Sequence, residues 1–151
     1  MIPSLPAKSK ITPVPLYGGI TILSPADCYE MYKCLKAVKD FDAPTYIRLT
    51  GGVGMPIVYE TDYEFKIGKA EILKPINTFT VVSHGTTVGH ALKAISNIEE
   101  NGVNVGLVNM HTIKPIDEDV LDKIALESDH VIIFEEHSIV GGLGSAILES
   151  F

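Results

Sequence analysis

The strongest indication of the fold of this 151-residue chain is the stretch Val131-Ile132-Ile133-Phe134-Glu135-Glu136-His137-Ser138-Ile139-Val140-Gly141-Gly142-Leu143-Gly144-Ser145. An apolar, β-branched run typical of a strand ends in two acids and a histidine, and glycines then precede a predicted helix that begins at Leu143. In open parallel sheets, ligands bind at the carboxyl ends of the strands. We therefore expect functional side chains at this strand-to-helix junction.

Two earlier strand-like runs end in similar polar loops, Ser83-His84-Gly85-Thr86 and Met110-His111-Thr112-Ile113-Lys114. Because parallel strands end at the same edge of a sheet, these three junctions should lie side by side. The predicted polar cluster at the strand ends consists of His84, Thr86, His111, Lys114, Glu135, Glu136 and His137.

Strands and helices alternate through residues 65–151. Around Gly68 an alternating pattern predicts a bent strand, and strands follow at 79–83, 103–109 and 131–135. The helices between them are expected to bury Val88, Ala91, Leu92, Ile95 and Ile98 in the first, and Val120, Leu121, Ile124 and Ala125 in the second, which Asp117 caps. The alternation predicts a three-layer α/β/α domain with a mostly parallel open sheet, which is expected to be truncated at its end, inside the last helix.

Residues 19–52 have the pattern of a βαβ unit, which we interpret as the remnant of a second α/β domain. Strand Ile20–Leu23 is followed by a helix with Ser24 as N-cap and Pro25 at its first position. This helix is expected to bury Cys28, Tyr32, Leu35 and Val38, and strand Thr45–Thr50 follows it. The proline-rich residues 1–18 predict an extended lead-in, and residues 53–64 predict a linker that lies on the surface.

Composition narrows the class of protein. The net charge is −7 and the mean hydropathy +0.23, and the basic residues are scattered, which argues against a nucleic-acid partner. No apolar run approaches the roughly 18 residues of a membrane span, and the first residues lack the layout of a signal peptide, so we expect a cytoplasmic protein without a membrane partner. Cys28 and Cys34 are expected to be free thiols, because their spacing on a helix separates the Cα atoms by about 9 Å.

The order of these motifs resembles one known family, over about Gly19 to the end of the chain. The matching residues are Ser24-Pro25-Ala26-Asp27, Pro44-Thr45-Tyr46-Ile47-Arg48, Asn109-Met110-His111-Thr112-Ile113-Lys114-Pro115-Ile116-Asp117, and Glu135-Glu136-His137 with Gly141-Gly142-Leu143-Gly144-Ser145. They resemble the C-terminal portion of the transketolase family. The resemblance implies the end of a pyrimidine-binding domain followed by a transketolase C-terminal domain.

The resemblance also implies a function. The whole protein would be a thiamine-diphosphate enzyme that uses Mg²⁺ and transfers two-carbon ketol units between sugar phosphates. The family's Gly-Asp-Gly metal motif and cofactor-activating glutamate lie upstream of the matched region, and this chain contains neither. We therefore expect no catalytic, cofactor-binding or metal-binding residues here, no bound cofactor and no activity of the fragment alone. The expected partners are the upstream cofactor-binding portion and a second copy, as a homodimer or as a heteromer of split subunits.

Arg48, the only arginine in the chain, is the candidate substrate residue. Its planar guanidinium can bind a phosphate or carboxylate through two hydrogen bonds. The resemblance implies contact with the phosphate of the sugar substrate. The alternative is a structural ion pair with a linker acid such as Glu60 or Asp62.

Several alternatives remain for the other motifs. Glu135, Glu136 and His137 could form an acid/base group, a metal site with His84 or His111, or a structural network. Gly141-Gly142-Leu143-Gly144 could bind a phosphate at a helix N-terminus or provide close packing.

The whole protein could also be a deoxyxylulose-phosphate synthase or a 2-oxo acid dehydrogenase β-type protein. A non-catalytic role is a further alternative, either in binding an anion or in buttressing a dimer. Exposed apolar surface beside residues 20–50 would favour the dimer role.

Overall fold

The computed structural model describes residues 19–50 and 56–150. The predicted lead-in, the glycine-rich residues 51–55 and Phe151 lie outside the described residues. The described part contains seven strands and four helices, and none of these helices is long and apolar enough to cross a membrane. In chain order the elements are β1 (Thr21–Leu23), α1 (Cys28–Lys39), β2 (Thr45–Ile47), β3 (Glu71–Lys74), β4 (Phe79–Ser83), α2 (Thr87–Glu99), β5 (Gly106–Asn109), β6 (Thr112–Lys114), α3 (Glu118–Glu127), β7 (His130–Phe134) and α4 (Leu143–Ser150).

The main sheet has four strands in the order β3-β5-β4-β7. Strand β4 pairs in parallel with both β5 and β7, whereas β3 is antiparallel to β5. Ser83 at the end of β4 is in register with Asn109 at the end of β5 and Phe134 at the end of β7. The three polar junctions therefore lie side by side, as predicted.

Helices cover both faces of this sheet, because successive residues of a strand point to opposite sides. On one face Val81 and Leu107 pack with residues of α2. On the other face Val82 and Val108 belong to a larger core. That core also contains Ile22 of β1, Leu121 and Ile124 of α3, and Leu143 and Ile147 of α4. The predicted three-layer α/β/α class is confirmed.

Several predicted boundaries and buried positions differ from the structure. A turn at Gly68 (φ +85°) replaces the bent strand, and β3 begins only at Glu71. Strand β5 begins at Gly106 rather than Val103, and β7 runs from His130 to Phe134. Ile98 and Ala125 are exposed, because each lies beyond the last residue of its helix that reaches the core, Ile95 in α2 and Ile124 in α3.

The first unit is a βαβ unit, with β1 parallel to β2 and α1 between them. One pairing was not predicted: β6 lies antiparallel to β1, which gives a three-stranded sheet in the order β2-β1-β6. The backbone of the first unit is thus hydrogen-bonded to the chain that follows β5. This pairing places the first unit at the carboxyl ends of the main-sheet strands.

The N-cap prediction for α1 was wrong. Asp27, not Ser24, caps the helix, and its Oδ1 accepts a hydrogen bond from the Glu30 amide at 2.8 Å. The other Asp27 oxygen accepts from the amides of Val58 (2.8 Å) and Tyr59 (3.0 Å). The Ser24 hydroxyl contacts a histidine ring instead, so it is not available as a cap.

The predicted buried face of α1 was also wrong. Tyr32 is 55% exposed, Leu35 is 52% exposed and Cys28 is exposed, whereas Glu30 and Cys34 are fully buried. Val38 is half-buried. The Glu30 carboxylate accepts hydrogen bonds from the Ala26 amide, the Tyr63 hydroxyl and the Asn109 side chain, which offset the cost of burying a carboxylate. The linker residue Tyr63 therefore packs against α1.

Candidate functional site

The candidate site lies where the first unit meets the strand ends of the main sheet. It contains a cavity of about 10 Å³, which corresponds to roughly one water molecule. The cavity is lined by Ile22, Arg48, His84, Ile113, Glu135, His137, Gly142 and Leu143. Four residues predicted from the sequence thus meet here: Arg48, His84, Glu135 and His137.

Glu135 is held by the first turn of α4. Its carboxylate accepts hydrogen bonds from the amides of Leu143 (2.6 Å) and Gly144 (3.0 Å), and its Oε2 lies 3.7 Å from Nε2 of His84. Burial alone would raise the pKa of Glu135, but His84 and the two amides outweigh burial and lower this pKa to about 2. Glu135 is therefore ionised at neutral pH and stabilises the positive end of the helix dipole.

This contact decides between the two interpretations of the glycine-rich loop. The amides that could have bound a phosphate at the start of α4 already donate to the Glu135 carboxylate. A Cβ atom at Gly142 would collide with the same carboxylate. Gly142 thus packs closely on Glu135, whereas Gly141 adopts a positive φ of 81°, and the anion site at the start of α4 is filled by the chain itself.

His84 connects Glu135 to the first unit. Its Nδ1 lies 2.8 Å from Oγ of Ser24, at the end of β1. Ser24, His84 and Glu135 thus follow one another in the order of a nucleophile triad. Ser24 is fully buried, however, and a Cβ at the neighbouring Gly85 (φ +59°) would lie only 2.9 Å from its Oγ. Within the described residues this hydroxyl is shielded from solvent, and the three side chains connect the end of β1 with the start of α4.

Arg48 follows β2 and is half-buried. Its amide donates to the Leu23 carbonyl at 2.7 Å, and its Nη2 donates to the Glu136 carbonyl at 3.0 Å. Among the residues that the structure describes, no carboxylate lies within 4.0 Å of the guanidinium. Asp62, a predicted ion-pair partner, bonds to Lys33 and Tyr29 instead. The guanidinium therefore carries a charge that no described carboxylate neutralises.

Three other residues of the predicted cluster contribute in different ways. His137 lines the cavity, and its Nε2 is buried without a hydrogen-bond partner among the described residues. Thr86 contacts Thr50 of the first unit, with 3.2 Å between the hydroxyl oxygens. Glu136 has an exposed side chain, so its carbonyl is the group that reaches the site.

His111 and Lys114 do not line the cavity. The His111 ring is buried, stacks on Phe65 and lies with Nδ1 3.1 Å from the Thr112 hydroxyl. Burial lowers the pKa of His111 to about 4, so its imidazole is neutral at pH 7. Lys114 lies in β6, in register with Ile22. Within residues 19–50 and 56–150, no three His, Cys, Asp or Glu residues are placed to hold a metal ion.

Two contributors were not recognised from the sequence. Ser24 was interpreted as a helix cap. It directly follows strand β1, as His84 directly follows β4, so its position after a strand could have indicated that it belongs to the site. No feature of the sequence could have indicated the role of the Glu136 carbonyl, since every residue has a backbone carbonyl.

The fold and this edge define an α/β/α domain with a mostly parallel sheet, joined at its strand ends to a second α/β unit. Residues 68–151 match the family described as "Transketolase, C-terminal domain". The chain belongs to the transketolase family.

Similar proteins agree with this assignment. The chain is 36% identical over 135 residues to one subunit of the apulose-4-phosphate transketolase of Phocaeicola vulgatus, covering 89% of this chain and 43% of that protein. It is 31% identical over 134 residues to the 1-deoxy-D-xylulose-5-phosphate synthase of Parasynechococcus marenigrum, covering 87% of this chain and 21% of that protein. A solved structure described as "Split gene transketolase, inactive beta4 tetramer" has a TM-score of 0.81 at 35% identity, over 87% of this chain and 43% of its own. The chain thus spans less than half the length of each.

Proposed function

We propose that this chain is the C-terminal part of an enzyme that transfers two-carbon ketol units between sugar phosphates, and that Arg48 binds the phosphate of the sugar. The observation that supports this role is the half-buried guanidinium of Arg48, which has no carboxylate partner among the described residues. A guanidinium in this state suits a phosphate, because its planar N–H groups match two phosphate oxygens.

The cofactor that the family resemblance implies, thiamine diphosphate with Mg²⁺, does not fit the residues described here. The amides of α4 that would suit a diphosphate already donate to the Glu135 carboxylate. We propose that an upstream portion of the enzyme holds the cofactor and the catalytic groups. The 151 residues alone should then catalyse no ketol transfer, and measurable transfer by them would refute this division.

Calorimetry tests the division directly. Thiamine diphosphate with Mg²⁺ is titrated into the chain alone and then into its mixture with the upstream portion of the same enzyme. We expect heat of binding only in the mixture. Binding by the chain alone would place the cofactor site within these residues. The absence of heat of binding in both titrations would contradict a role in a cofactor enzyme.

Kinetics of the assembled enzyme tests Arg48. Loss of a charge-assisted hydrogen bond of about 1.5–3 kcal/mol predicts that Arg48→Ala raises KM for a phosphorylated acceptor about 10–100-fold. The same variant should leave the reaction of an unphosphorylated donor with an unphosphorylated acceptor unchanged. Lys93→Ala, which removes an exposed cation from α2, is the control. An unchanged KM for the phosphorylated acceptor would remove Arg48 from the substrate site.

The similarity to a deoxyxylulose-phosphate synthase supports a second enzyme candidate. Pyruvate as donor, rather than a ketose phosphate, would identify that reaction in the assembled enzyme. A 2-oxo acid dehydrogenase β-type protein and a cytoplasmic location stay predictions from the sequence. A stand-alone anion-binding module is the weaker alternative, because Glu135 occupies the anion site of α4.

A dimer-buttressing role has its own supporting observation, the exposed apolar surface of the first unit. Tyr32 and Leu35 of α1, Tyr46 of β2 and the following Leu49 are all exposed. Such a surface is typical of an interface with another subunit or with the upstream portion. Leu35→Gln should weaken association in sedimentation experiments and leave the thermal midpoint of the chain unchanged. Leu126→Gln, on an 87% exposed residue of α3, is the matched control and should change neither.

A further inference from the structure

The orientation of Arg48 depends on the loop that follows β7. We propose that Glu135 is a positioning residue, whose carboxylate fixes the loop so that the neighbouring Glu136 carbonyl orients the Arg48 guanidinium. This inference rests on the proposed function, because it treats Arg48 as the residue that binds the sugar phosphate. It assigns Glu135 a role in that binding without contact with the phosphate.

The only hydrogen bond that the described residues provide to the guanidinium leads to this loop. Nη2 of Arg48 donates to the Glu136 carbonyl at 3.0 Å, across 88 positions of sequence. The side chain of Glu136 is exposed, so this contact depends on the position of the backbone and not on the glutamate. Adjacent Cα atoms are about 3.8 Å apart, so an anchor at Glu135 acts almost directly on the carbonyl of Glu136.

Glu135 is such an anchor. It is bound to two amides of α4, at 2.6 and 3.0 Å, and faces His84 at 3.7 Å. The far end of the loop is fixed as well, because the Gly141 amide donates to Oγ of Ser145 at 2.8 Å. Between these two anchors, Ile139 and Val140 are exposed and take part only in longer hydrogen bonds, of 3.5 and 3.3 Å. Glu136 therefore takes its position from Glu135.

A fixed carbonyl matters because arginine has many rotamers. Binding a phosphate through a free guanidinium costs the entropy of ordering that side chain, whereas a guanidinium already held by a carbonyl has lost much of it in advance. Releasing the carbonyl should therefore weaken phosphate binding about 2–10-fold while the guanidinium itself remains. The loss should be smaller than that caused by Arg48→Ala.

Because Arg48 is the only arginine in the chain, its side-chain N–H signals in a ¹H–¹⁵N NMR spectrum report on one residue. Glu135→Gln keeps the size of the side chain but replaces one accepting oxygen with an NH₂ group that cannot accept from the α4 amides. In this variant we expect faster solvent exchange of the Nη protons and a Kd for inorganic phosphate that is about 2–10-fold higher. Glu127→Gln, the same substitution at an exposed glutamate of α3, is the matched control and should leave both at the wild-type values.

The two measurements separate the possible failures. If the solvent exchange of the Arg48 Nη protons in Glu135→Gln equals that in the wild type, the positioning role is refuted, regardless of the Kd for phosphate. If phosphate shifts no Arg48 signal in the ¹⁵N-labelled wild-type chain assembled with the upstream portion, the proposed substrate role of Arg48 fails, while the exchange rates still decide the positioning. Thermal unfolding confirms that each variant is folded. If Glu135→Gln is not folded, Glu135→Asp tests the positioning role instead. Its shorter side chain keeps the negative charge, so we expect faster solvent exchange of the Arg48 Nη protons than in the wild type.

Discussion

The Glu30 carboxylate and the Asn109 side-chain amide lie 2.9 Å apart, although 79 positions separate them in the chain and neither side chain is exposed. Glu30 belongs to α1, and Asn109 is the last residue of β5. Burial raises the pKa of Glu30, and hydrogen bonds from the Tyr63 hydroxyl, the Ala26 amide and Asn109 partly oppose that effect. The pair therefore ties the first unit to the main sheet through a polar contact that is sensitive to added charge.

Asn109→Asp should be strongly destabilising, because it places a second carboxylate against Glu30. We expect a loss of about 3–5 kcal/mol in the free energy of unfolding at pH 8, the usual effect of an uncompensated buried charge. The loss should be smaller at pH 5, where the two carboxylates can share a proton. Urea unfolding at the two pH values measures both quantities.

The exposed Asn104 offers the control for this substitution. Asn104→Asp adds the same charge in contact with solvent, and it should change stability by less than about 0.5 kcal/mol at either pH. Equal losses in Asn109→Asp at pH 5 and pH 8 would mean that repulsion from Glu30 is not the cause.

Features with local causes were predictable from the sequence. Asp117 was predicted to cap α3, and its Oδ1 accepts from the Val120 amide, because a cap and its helix are neighbours in the chain. The common edge for His84 and Glu135 followed from the parallel order of the strands, which a repeating strand–helix pattern implies.

Features that depend on distant partners were not predictable. The helical period predicted that Tyr32 and Leu35 are buried, whereas in the structure α1 buries Glu30 instead. The partners that make this burial possible, Tyr63 and Asn109, are 33 and 79 positions away in the chain. The three-residue strand β6 is too short to produce a pattern. At the site, Arg48 could be singled out as the only arginine, but its bond to a backbone carbonyl leaves no trace in the sequence.

The two cysteines should differ sharply in reactivity. Cys28 is exposed, whereas burial, with a smaller contribution from the Glu30 carboxylate, raises the pKa of Cys34 to about 12. Because the thiolate is the reactive form, a thiol reagent at pH 8 should label one cysteine in the folded chain and two in urea. Mass spectrometry of the labelled peptides should locate the fast label on Cys28. Rapid modification of Cys34 in the folded chain would contradict its burial.

Acid should destabilise the chain through His111 and then through Glu135. The pKa of His111 is lowered from 6.5 to about 4, so its contribution is complete above pH 6.5 and is lost as the pH falls through 4. The pKa of Glu135 is lowered from 4.5 to about 2. Its contribution to the free energy of unfolding is therefore complete above pH 4.5 and is lost as the pH falls towards 2.

His111→Gln tests the first of these steps. The difference in unfolding free energy between wild type and variant should shrink by up to about 3 kcal/mol as the pH falls from 7 to 4, because only the wild type must protonate a buried ring. The ring signals of His111 should titrate near pH 4 in NMR spectra. A His111 ring that titrates near pH 6.5 would contradict its burial.

Two glycines of the same loop provide the sharpest steric test of the Glu135 anchor. A Cβ at Gly142 would collide with the Glu135 carboxylate, whereas a Cβ at Gly144 would lie 3.5 Å from its Oε1, an ordinary contact. Neither glycine has a positive φ, so neither substitution strains the backbone. Gly142→Ala should cost about 1–3 kcal/mol, the usual penalty for overpacking, and Gly144→Ala should be neutral or stabilise α4 by up to about 1 kcal/mol. Both effects are measurable by urea unfolding at pH 7. If the two variants were equally stable, the Glu135 carboxylate would not be held against the start of α4. Glu135 could then not fix the Glu136 carbonyl that orients Arg48.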